Sequence, residues 1–559
     1  MVILGIAGAL THDPSAAIVI DGKVIAAAEE ERFTREKHSI NDLPINAVHF
    51  CMKEANIKSD DIDIVVFPWS CQIYNALKWK VVRRIWRTRP SRAYMAIVQA
   101  QKKNNNALNK LYNTLKQCGI NQKKVDIHYV EHHLAHASSA YHLSGFKNSA
   151  ILTLDGLGEC TTSLFAEGRE GKIKKIYEIV YSDSLGRFYS TITAYLGFTV
   201  LDGEYKVMGM APYGDPSKIN ISHIIKERGL SFRANDDYVW PIRSKRYNPD
   251  LLIPKKMIKD WGLPRKGDDL SEPYIHIAAA AQKRFEEIVS YLVDKHLMKI
   301  IESSGSLCFA GGCALNVALN RILLKKPYIK NLWVQPASHD AGTSLGAATY
   351  IANEFGEKIE PMKHVYLGPE FSNQEIEQVI KKSNFPFKYE SNICQVTADL
   401  LSKGEIVGWF QGRMEWGPRA LGNRSILGNP FLRGTADKIN ALIKFREKWR
   451  PFCPSILGER SSEILHSNHP AAFMTTAFKV NLSWRDRIPE VIHVDGTCRP
   501  QIVEKGMNPK FYCVIENFYH KTGVPVVINT SLNRRGEPMI CTPDDALAMF
   551  KESGLQYLV

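Results

Sequence analysis

The chain contains no Cys-x-x-Cys pair, and its eleven cysteines follow no regular spacing. That absence excludes the paired thiolates of a structural zinc site and offers no disulfide framework. Scattered cysteine in a chain without an export signal fits reduced thiols, and hence a cytoplasmic setting. No apolar run approaches the length needed to cross a bilayer, so no membrane span is expected. The opening "MVILGIAGAL" is apolar, but no basic segment precedes it and His12 and Asp13 end it early. It reads as a buried strand rather than a signal peptide. Low-complexity tracts are missing too. Acidic residues are absent from "KWKVVRRIWRTRPSR" (Lys78–Arg92), which holds seven basic ones.

What is present is the composition of a globular protein, 45% hydrophobic and 23% charged. At 559 residues the chain exceeds one hydrophobic core and should divide into two or more domains. A net charge of +14 asks for an anionic partner, and the basic arm from Lys78 supplies much of it. Nucleic acid, anionic lipid or a phosphate-bearing substrate would each suit the arm, and so would a solvated helix face.

The first thirty residues predict strand, polar loop, strand, tight turn, strand, with Asp21-Gly22 as the hairpin turn. The same order returns after residue 149 as "AILTLD", "GLGEC", "TTSLFAEG", "REG" and "KIKKIYEIV". Such a duplication predicts two similar α/β halves facing each other across a cleft. Residues 40 to 120 read as a mainly helical stretch, and a long helix is expected from Tyr274 to about Ser303. Gly368-Pro369 breaks structure, and Ser372-x-x-Glu375 is a capping-box start. A second, smaller α/β domain follows from there to Val559.

Three histidines stand in "EHHLAHASSAY" (Glu131–Tyr141). On a helix, His132 and His136 share a face, whereas His133 is rotated away by roughly 100°. The pair is half of a candidate metal site. Asp155, at the end of the strand "ILTLD", and Asp340, in "PASHDAGTSLGAA", can supply the carboxylates, although Asp340 would equally serve as a helix N-cap. Two imidazoles and two carboxylates suit Fe(II), Mn(II) or Zn(II) better than Ca(II).

"LCFAGGCALN" (Leu307–Asn316) is a strand, a Gly311-Gly312 turn and a helix start. It lets a backbone approach an anion but lacks the Gly-Lys-Ser/Thr of a phosphate loop. In "GEYKVMGMAPYG", Lys206 could touch a phosphate. Cations then gather around turns in the last third: Arg413, Arg419 and Arg424, then Lys444, Arg446 and Arg450, with Ser531 and Asn533 after the strand "VPVVIN". Forked guanidiniums beside a hydroxyl and an amide suit phosphate and carboxylate-like oxygens.

Together "HHLAHASSAY", "LDGLGE", "GEYKVMGMAPYG", "GGCALN", "HDAG", "GRMEWGPRALGNRSIL", "RPFCPS" and "NTSLN" resemble, in order over nearly the whole chain, the nodulation/antibiotic O-carbamoyltransferase family. The resemblance implies an α/β protein. A duplicated actin/sugar-kinase-like (RNase H-like) domain would span residues 1–367, with the helical stretch as an insertion. A YrdC-like α/β domain would span residues 368–559. It also implies two steps. Carbamoyl phosphate and ATP, the latter with Mg(II), would give carbamoyl-adenylate in the YrdC-like domain. The carbamoyl group would then pass to an acceptor hydroxyl in the N-terminal domain, assisted by Fe(II) or another divalent metal on His132, His136, Asp155 and Asp340. Carbamoyl phosphate and ATP contacts fall on Lys444, Arg446, Arg450, Ser531 and Asn533, with Arg419 and Arg424 beside them. Nucleotide contacts in the N-terminal domain fall on Lys206, Gly311, Gly312 and Asn316.

An acceptor alcohol needs a base near the carbonyl, and His12, in the first strand loop, is the candidate catalytic residue; a role in orienting that loop is the alternative. The acceptor is expected to be a small molecule or saccharide, as in natural-product biosynthesis. A homodimer stays open, and nucleic acid is disfavoured as a partner. The competing readings are modification of tRNA, which the basic arm supports, and a non-catalytic actin-like ATP-binding module, which leaves the C-terminal cations without a purpose.

Overall fold

The computed structural model describes residues 1–8, 12–87, 90–239 and 253–559. Ala9–Thr11 of the first loop, and Thr88 and Arg89 of the basic arm, lie outside the described residues.

The first sheet begins with an antiparallel meander of β1 (Val2–Ala7), β2 (Ser15–Ile20) and β3 (Lys23–Glu29). Asp21 (φ 49°) and Gly22 (φ 76°) make the turn, both in the left-handed region that a two-residue hairpin of this twist demands. Beyond β1 lie β4 (Ile64–Phe67) and β5 (Asp126–Tyr129), both parallel to it, so the order is β3-β2-β1-β4-β5. The second sheet repeats this plan. Its meander is β6 (Asn148–Leu154), β7 (Thr161–Arg169) and β8 (Lys172–Val180), followed by parallel β11 (Ser306–Ala310) and β12 (Asn331–Val334). Even the turn recurs, with Glu170 (φ 47°) and Gly171 (φ 81°). A small hairpin, β9 (Ile225–Arg228) with β10 (Ser231–Ala234), lies between them in sequence.

The expected duplication is thus visible strand for strand, but the helical stretch is not one uninterrupted insertion. The helix Ile45–Glu54 covers β2 and β3, and β4 is an inner strand of the first sheet, between β1 and β5. Only the helices Cys71–Ile85 and Pro90–Gln117 form the excursion, inserted between β4 and β5. The four-residue strand "IVVF" escapes a helical-period reading because it is apolar throughout, as a parallel strand buried on both faces must be. Likewise the long helix from Tyr274 breaks at Leu297, giving Tyr274–His296 and Met298–Ser304.

Two small-residue helices lie back to back between the sheets. His132–Ser144 packs on β6 and β11, and Gly342–Glu354 packs on β1 and β2. Their contact is close because it is built on glycine: a Cβ at Gly346 would stand 1.9 Å from the Ala135 carbonyl oxygen. Gly5 of β1 admits the Ser344 carbonyl in the same way, at 1.9 Å. These two helices carry His132 and His136 at one start and Asp340 just before the other.

The C-terminal sheet has the order β18-β15-β19-β14-β13-β20. It comprises β13 (Val407–Phe410), β14 (Arg424–Gly428), β15 (Cys453–Leu457), β18 (Gln501–Val503), β19 (Val526–Ser531) and β20 (Tyr557–Leu558). The short β16 (Phe478–Lys479) and β17 (Thr497–Cys498) form a separate pair. Helices Ile393–Ser402 and Pro509–Thr522 cover one face through Trp409, Ile426, Phe511, Phe518 and Ile528. Ahead of the sheet, helix Asn373–Lys382 starts with the expected capping box of Ser372 and Glu375. An apolar cluster running from Ile3 and Leu345 to Tyr366, Trp416 and Met474 joins the C-terminal sheet to the N-terminal half. Gly417 N–H donates to Glu29 Oε1 at 3.0 Å, and Arg32 donates to the Gly417 carbonyl at 3.0 Å, so polar contacts tie the same seam.

Candidate active site

The helix His132–Ser144 begins without a side-chain cap of its own. Glu159, from the β6–β7 loop, accepts instead from His132 N–H, at 3.1 Å to Oε1. With that end held, the one-turn spacing brings the two imidazoles together: His132 Nε2 and His136 Nε2 stand 3.1 Å apart. Asp340 Oδ1 lies 3.5 Å from His132 Nε2 and 3.7 Å from His136 Nε2, and Asp155 Oδ2 lies 3.8 Å from His132 Nε2. The four candidate ligand atoms all fall within 4.8 Å of one another. Asp340 is not an N-cap, because the helix Gly342–Glu354 starts from Ala341 with no side-chain cap. Its carboxylate turns towards the histidines.

His133 stands apart, as its rotation requires. Its Nε2–H donates to the Thr161 carbonyl at 3.0 Å, and Nδ1 meets Thr153 Oγ1 at 2.6 Å. Burial, then the neighbouring histidines, push its pKa down to about 3, so it stays neutral. Burial also lowers His136, the Asp340 hydrogen bond opposing it. At His132 burial pulls down, but Asp340 and Asp155 outweigh it and hold the imidazole well above its ordinary range. Burial raises Asp155 and Asp340, yet the surrounding imidazoles keep both below the usual carboxylate range.

This cluster fits a divalent ion. Two imidazole nitrogens 3.1 Å apart face each other and two carboxylate oxygens rather than protein donors. Asp340 Oδ2 and His136 Nδ1 are buried without a hydrogen-bond partner. Unsatisfied buried polar atoms are rare and need a reason.

The cluster opens into a cavity of about 480 Å³. His12 lines it beside Asp340, its Nε2 3.7 Å from Asp340 Oδ2. Its Nδ1 is 2.8 Å from Asp13 Oδ2, and Asp13 Oδ1 is 2.7 Å from His38 Nδ1. Gly312 and Asn316 also line the cavity. Gly312 N–H donates to Asp155 Oδ1 at 3.1 Å, so the glycine turn braces a cluster carboxylate. Gly311 does not reach the cavity. At φ 89° it brings the backbone so near β6 that a Cβ would stand 2.2 Å from the Leu154 carbonyl oxygen. Lys206 is also outside the lining: its Nζ bonds Glu447 Oε1 at 2.9 Å and lies over the Phe198 ring.

The far wall of the same cavity comes from the C-terminal domain, with Ser531 at the end of β19 and Arg419, Lys444, Arg446, Arg450 and Asn533 on the segments around the sheet. Lys444 Nζ sits among the Ser531 and Asn533 oxygens, 2.7 Å from Asn533 Oδ1 and 3.2 Å from Ser531 Oγ. Arg446 stacks on Phe452, 3.8 Å from the ring centre, and donates to Asn440 Oδ1 at 3.1 Å. Arg450 pairs with Glu447 at 3.2 Å and covers the Tyr205 ring. Burial and neighbouring cations push Arg419 and Arg446 down to about 9 and Lys444 well below its ordinary value. Crowded, half-desolvated cations of this kind are relieved by an anion.

Arg424 does not belong to that wall. It is fully buried, donates to the carbonyls of Gln411, Gly412, Asn423, Pro369 and Cys541, and lies 3.6 Å over Phe410. A guanidinium so placed ties separate loops together, and it does not line the cavity. Several lining residues escaped the sequence reading, His38 and two arginines among them. Arg499 donates to Cys453 Sγ at 2.9 Å, and Arg321 approaches Asp495 at 3.9 Å. Both are single arginines outside any cation cluster, so spacing carries no signal for them.

The comparisons with known proteins follow the same division. The chain matches the family model for the carbamoyltransferase N-terminus over residues 2–349 and that for the carbamoyltransferase C-terminus over residues 398–559. Nodulation protein NolNO of Sinorhizobium fredii is 36% identical over 98% of this chain and 78% of its own length. An uncharacterized protein of Synechocystis, sll1178, is 34% identical over 100% of this chain and 95% of its own. The 3'-hydroxymethylcephem-O-carbamoyltransferase of Amycolatopsis lactamdurans is 28% identical over 64% of each. The chain belongs to the carbamoyltransferase family, and it is an enzyme.

Proposed function

We propose that this carbamoyltransferase makes carbamoyl-adenylate from carbamoyl phosphate and ATP and passes the carbamoyl group to a hydroxyl of a small molecule or saccharide. The observation that carries the reading is the single cavity, with the metal-type cluster and His12 on one wall and the C-terminal cations on the other. An N-terminal half of the actin/sugar-kinase type is supported by the two sheets of identical strand order, and a YrdC-like C-terminal half would complete it.

A carbamoyl carbon is a poor electrophile, because its nitrogen donates into the carbonyl, so transfer to an alcohol needs a good leaving group. Lys444, Arg446 and Arg450 would hold the phosphates of carbamoyl phosphate and of ATP, which arrives with Mg(II). Carbamate freed by hydrolysis of carbamoyl phosphate attacks the α-phosphorus through oxygen, and pyrophosphate leaves. The mixed anhydride is sensitive to water, and an enclosed path spares it. An acceptor oxygen then attacks the carbamoyl carbon and AMP departs. His12 takes the hydroxyl proton on Nε2, because Asp13 occupies Nδ1 and fixes the tautomer. His38 in turn orients Asp13. A divalent ion such as Fe(II), held by His132, His136, Asp155 and Asp340, would supply Lewis acidity towards a phosphate or carbonyl oxygen.

The test is carbamoyl-phosphate-dependent release of pyrophosphate from ATP, measured without RNA. His12→Gln should leave that release within a few-fold of the parent while slowing carbamoyl transfer about a hundredfold or more. Pyrophosphate release that ignores carbamoyl phosphate, or requires RNA, would sink the reading.

A further inference from the structure

Residues 64 to 125 contain no Asp or Glu and thirteen Lys or Arg. The rest of the chain is nearly neutral, with 59 basic and 58 acidic residues, so almost the whole net charge of +14 sits on this one segment. The structure makes most of it the helical hairpin Cys71–Ile85 and Pro90–Gln117, which leaves the first sheet after β4 and returns at β5.

The hairpin is two-sided. Leu77, Val81 and Ile85 of the first helix and Ala107, Leu111 and Leu115 of the second are buried and face the first sheet's core. Arg84 serves this anchorage, clasping Asp183 with bonds of 2.7 and 2.8 Å. The outer face differs. Trp79 and Trp86 stand seven residues apart, two helical turns, and are 51% and 55% exposed. They are the exposed tryptophans among the described residues. Lys80, Arg83 and Arg87 run alongside them, all exposed and all without a carboxylate partner among the described residues. Tyr94 and Val98 of the second helix are also exposed, at 62% and 53%.

We propose that this face docks on an anionic lipid surface, with the two indoles lodged among the headgroups and the flanking cations on lipid phosphates. Tryptophan favours the membrane–water interface, and a strip of aromatic and basic residues on one helix face is how a protein lies on a bilayer without crossing it. No helix among the described residues is long and apolar enough to cross a membrane. A single nucleic-acid strand, the other polyanion of this charge, is held in grooves with aromatic platforms. Here Trp79, Lys80, Arg83, Trp86 and Arg87 fall along one outer side of a single helix and its end, an arrangement that suits a plane. If the enzyme acts as proposed above, contact there would bring it to an acceptor held at a lipid surface.

The full-length protein is sedimented with vesicles of phosphatidylcholine alone and of phosphatidylcholine with phosphatidylglycerol. Binding is expected only to the anionic vesicles, with a blue shift of tryptophan emission and steep loss on adding salt. The triple variant Lys80→Gln, Arg83→Gln, Arg87→Gln should weaken vesicle affinity by on the order of a hundredfold, since each interfacial cation contributes about fivefold. The variant Trp79→Ser, Trp86→Ser should abolish the emission shift. Unchanged melting temperatures for both variants would show that the hairpin still folds. Equal binding to neutral vesicles, parental binding by the triple variant, or binding to single-stranded RNA with no binding to anionic vesicles would overturn the proposal.

Discussion

The two walls of the cavity concentrate charge in opposite ways. On the N-terminal wall two carboxylates and two imidazoles converge within 4.8 Å, and buried atoms are left without partners. On the C-terminal wall the cations spread over a broader surface, each steadied by a ring, a carbonyl or one carboxylate. A cluster that tight suits a single small cation, whereas a dispersed set of forked donors suits a polyanion with several oxygens. The contrast teaches that one chamber can carry walls charged for different partners, which is what the two proposed half-reactions would need.

The largest break in that contrast should come from Asp340→Asn. It keeps the shape and removes the charge nearest both imidazoles. Carbamoyl transfer should fall by about a thousandfold or more, the scale of several kcal/mol of Lewis-acid stabilisation. Pyrophosphate release should stay within a few-fold, and iron content measured by elemental analysis should drop in parallel with transfer. Equal loss of both half-reactions would join the walls into one indivisible site.

A middling effect should separate two arginines that the sequence presents alike. Arg446→Ala should cut carbamoyl-phosphate-dependent pyrophosphate release by about tenfold to a hundredfold, the weight of one or two charge-assisted hydrogen bonds, and leave the melting temperature nearly unchanged. Arg424→Met should do the reverse. The Gln411, Gly412 and Cys541 carbonyls would lose their donor inside the protein, while those of Asn423 and Pro369 keep a backbone N–H, and leaving buried acceptors unpaired costs about 1–3 kcal/mol each before relaxation. A thermal melt beside a kinetic assay distinguishes the two.

These arginines mark where sequence stops being legible. Local spacing suffices for His132 and His136, because one helical turn decides which imidazoles meet. It suffices for the meanders too, since their alternation and turn residues lie within a few positions. Asp155 and Asp340 were reachable because each closes or opens an element beside small residues. Whether a guanidinium ends in a cavity or in a knot of carbonyls depends on loops from residues 369, 411 and 541, and no window of sequence holds those together. The strand β4 was hidden for the opposite reason: a short strand buried on both faces has no period to detect. The depth of the helix–helix contact rests on Gly346, and its role depends on Ala135, more than two hundred residues away.

Lys206 is the finest test of the division between walls. It lies near the junction and its sequence setting suggests a phosphate ligand, yet its ammonium is spent on Glu447, whose side chain is only 1% exposed. Glu447 also pairs with Arg450 at 3.2 Å, so the carboxylate keeps one cation when the lysine is removed. Lys206→Met should therefore raise the KM for ATP by less than about threefold, since the ammonium is spent on Glu447 and Lys206 does not line the cavity. Its small effect should appear as a slightly lower melting temperature. A tenfold rise in KM at an unchanged melting temperature would instead put the Lys206 ammonium on a phosphate, and extend the cationic wall across the junction into the N-terminal half.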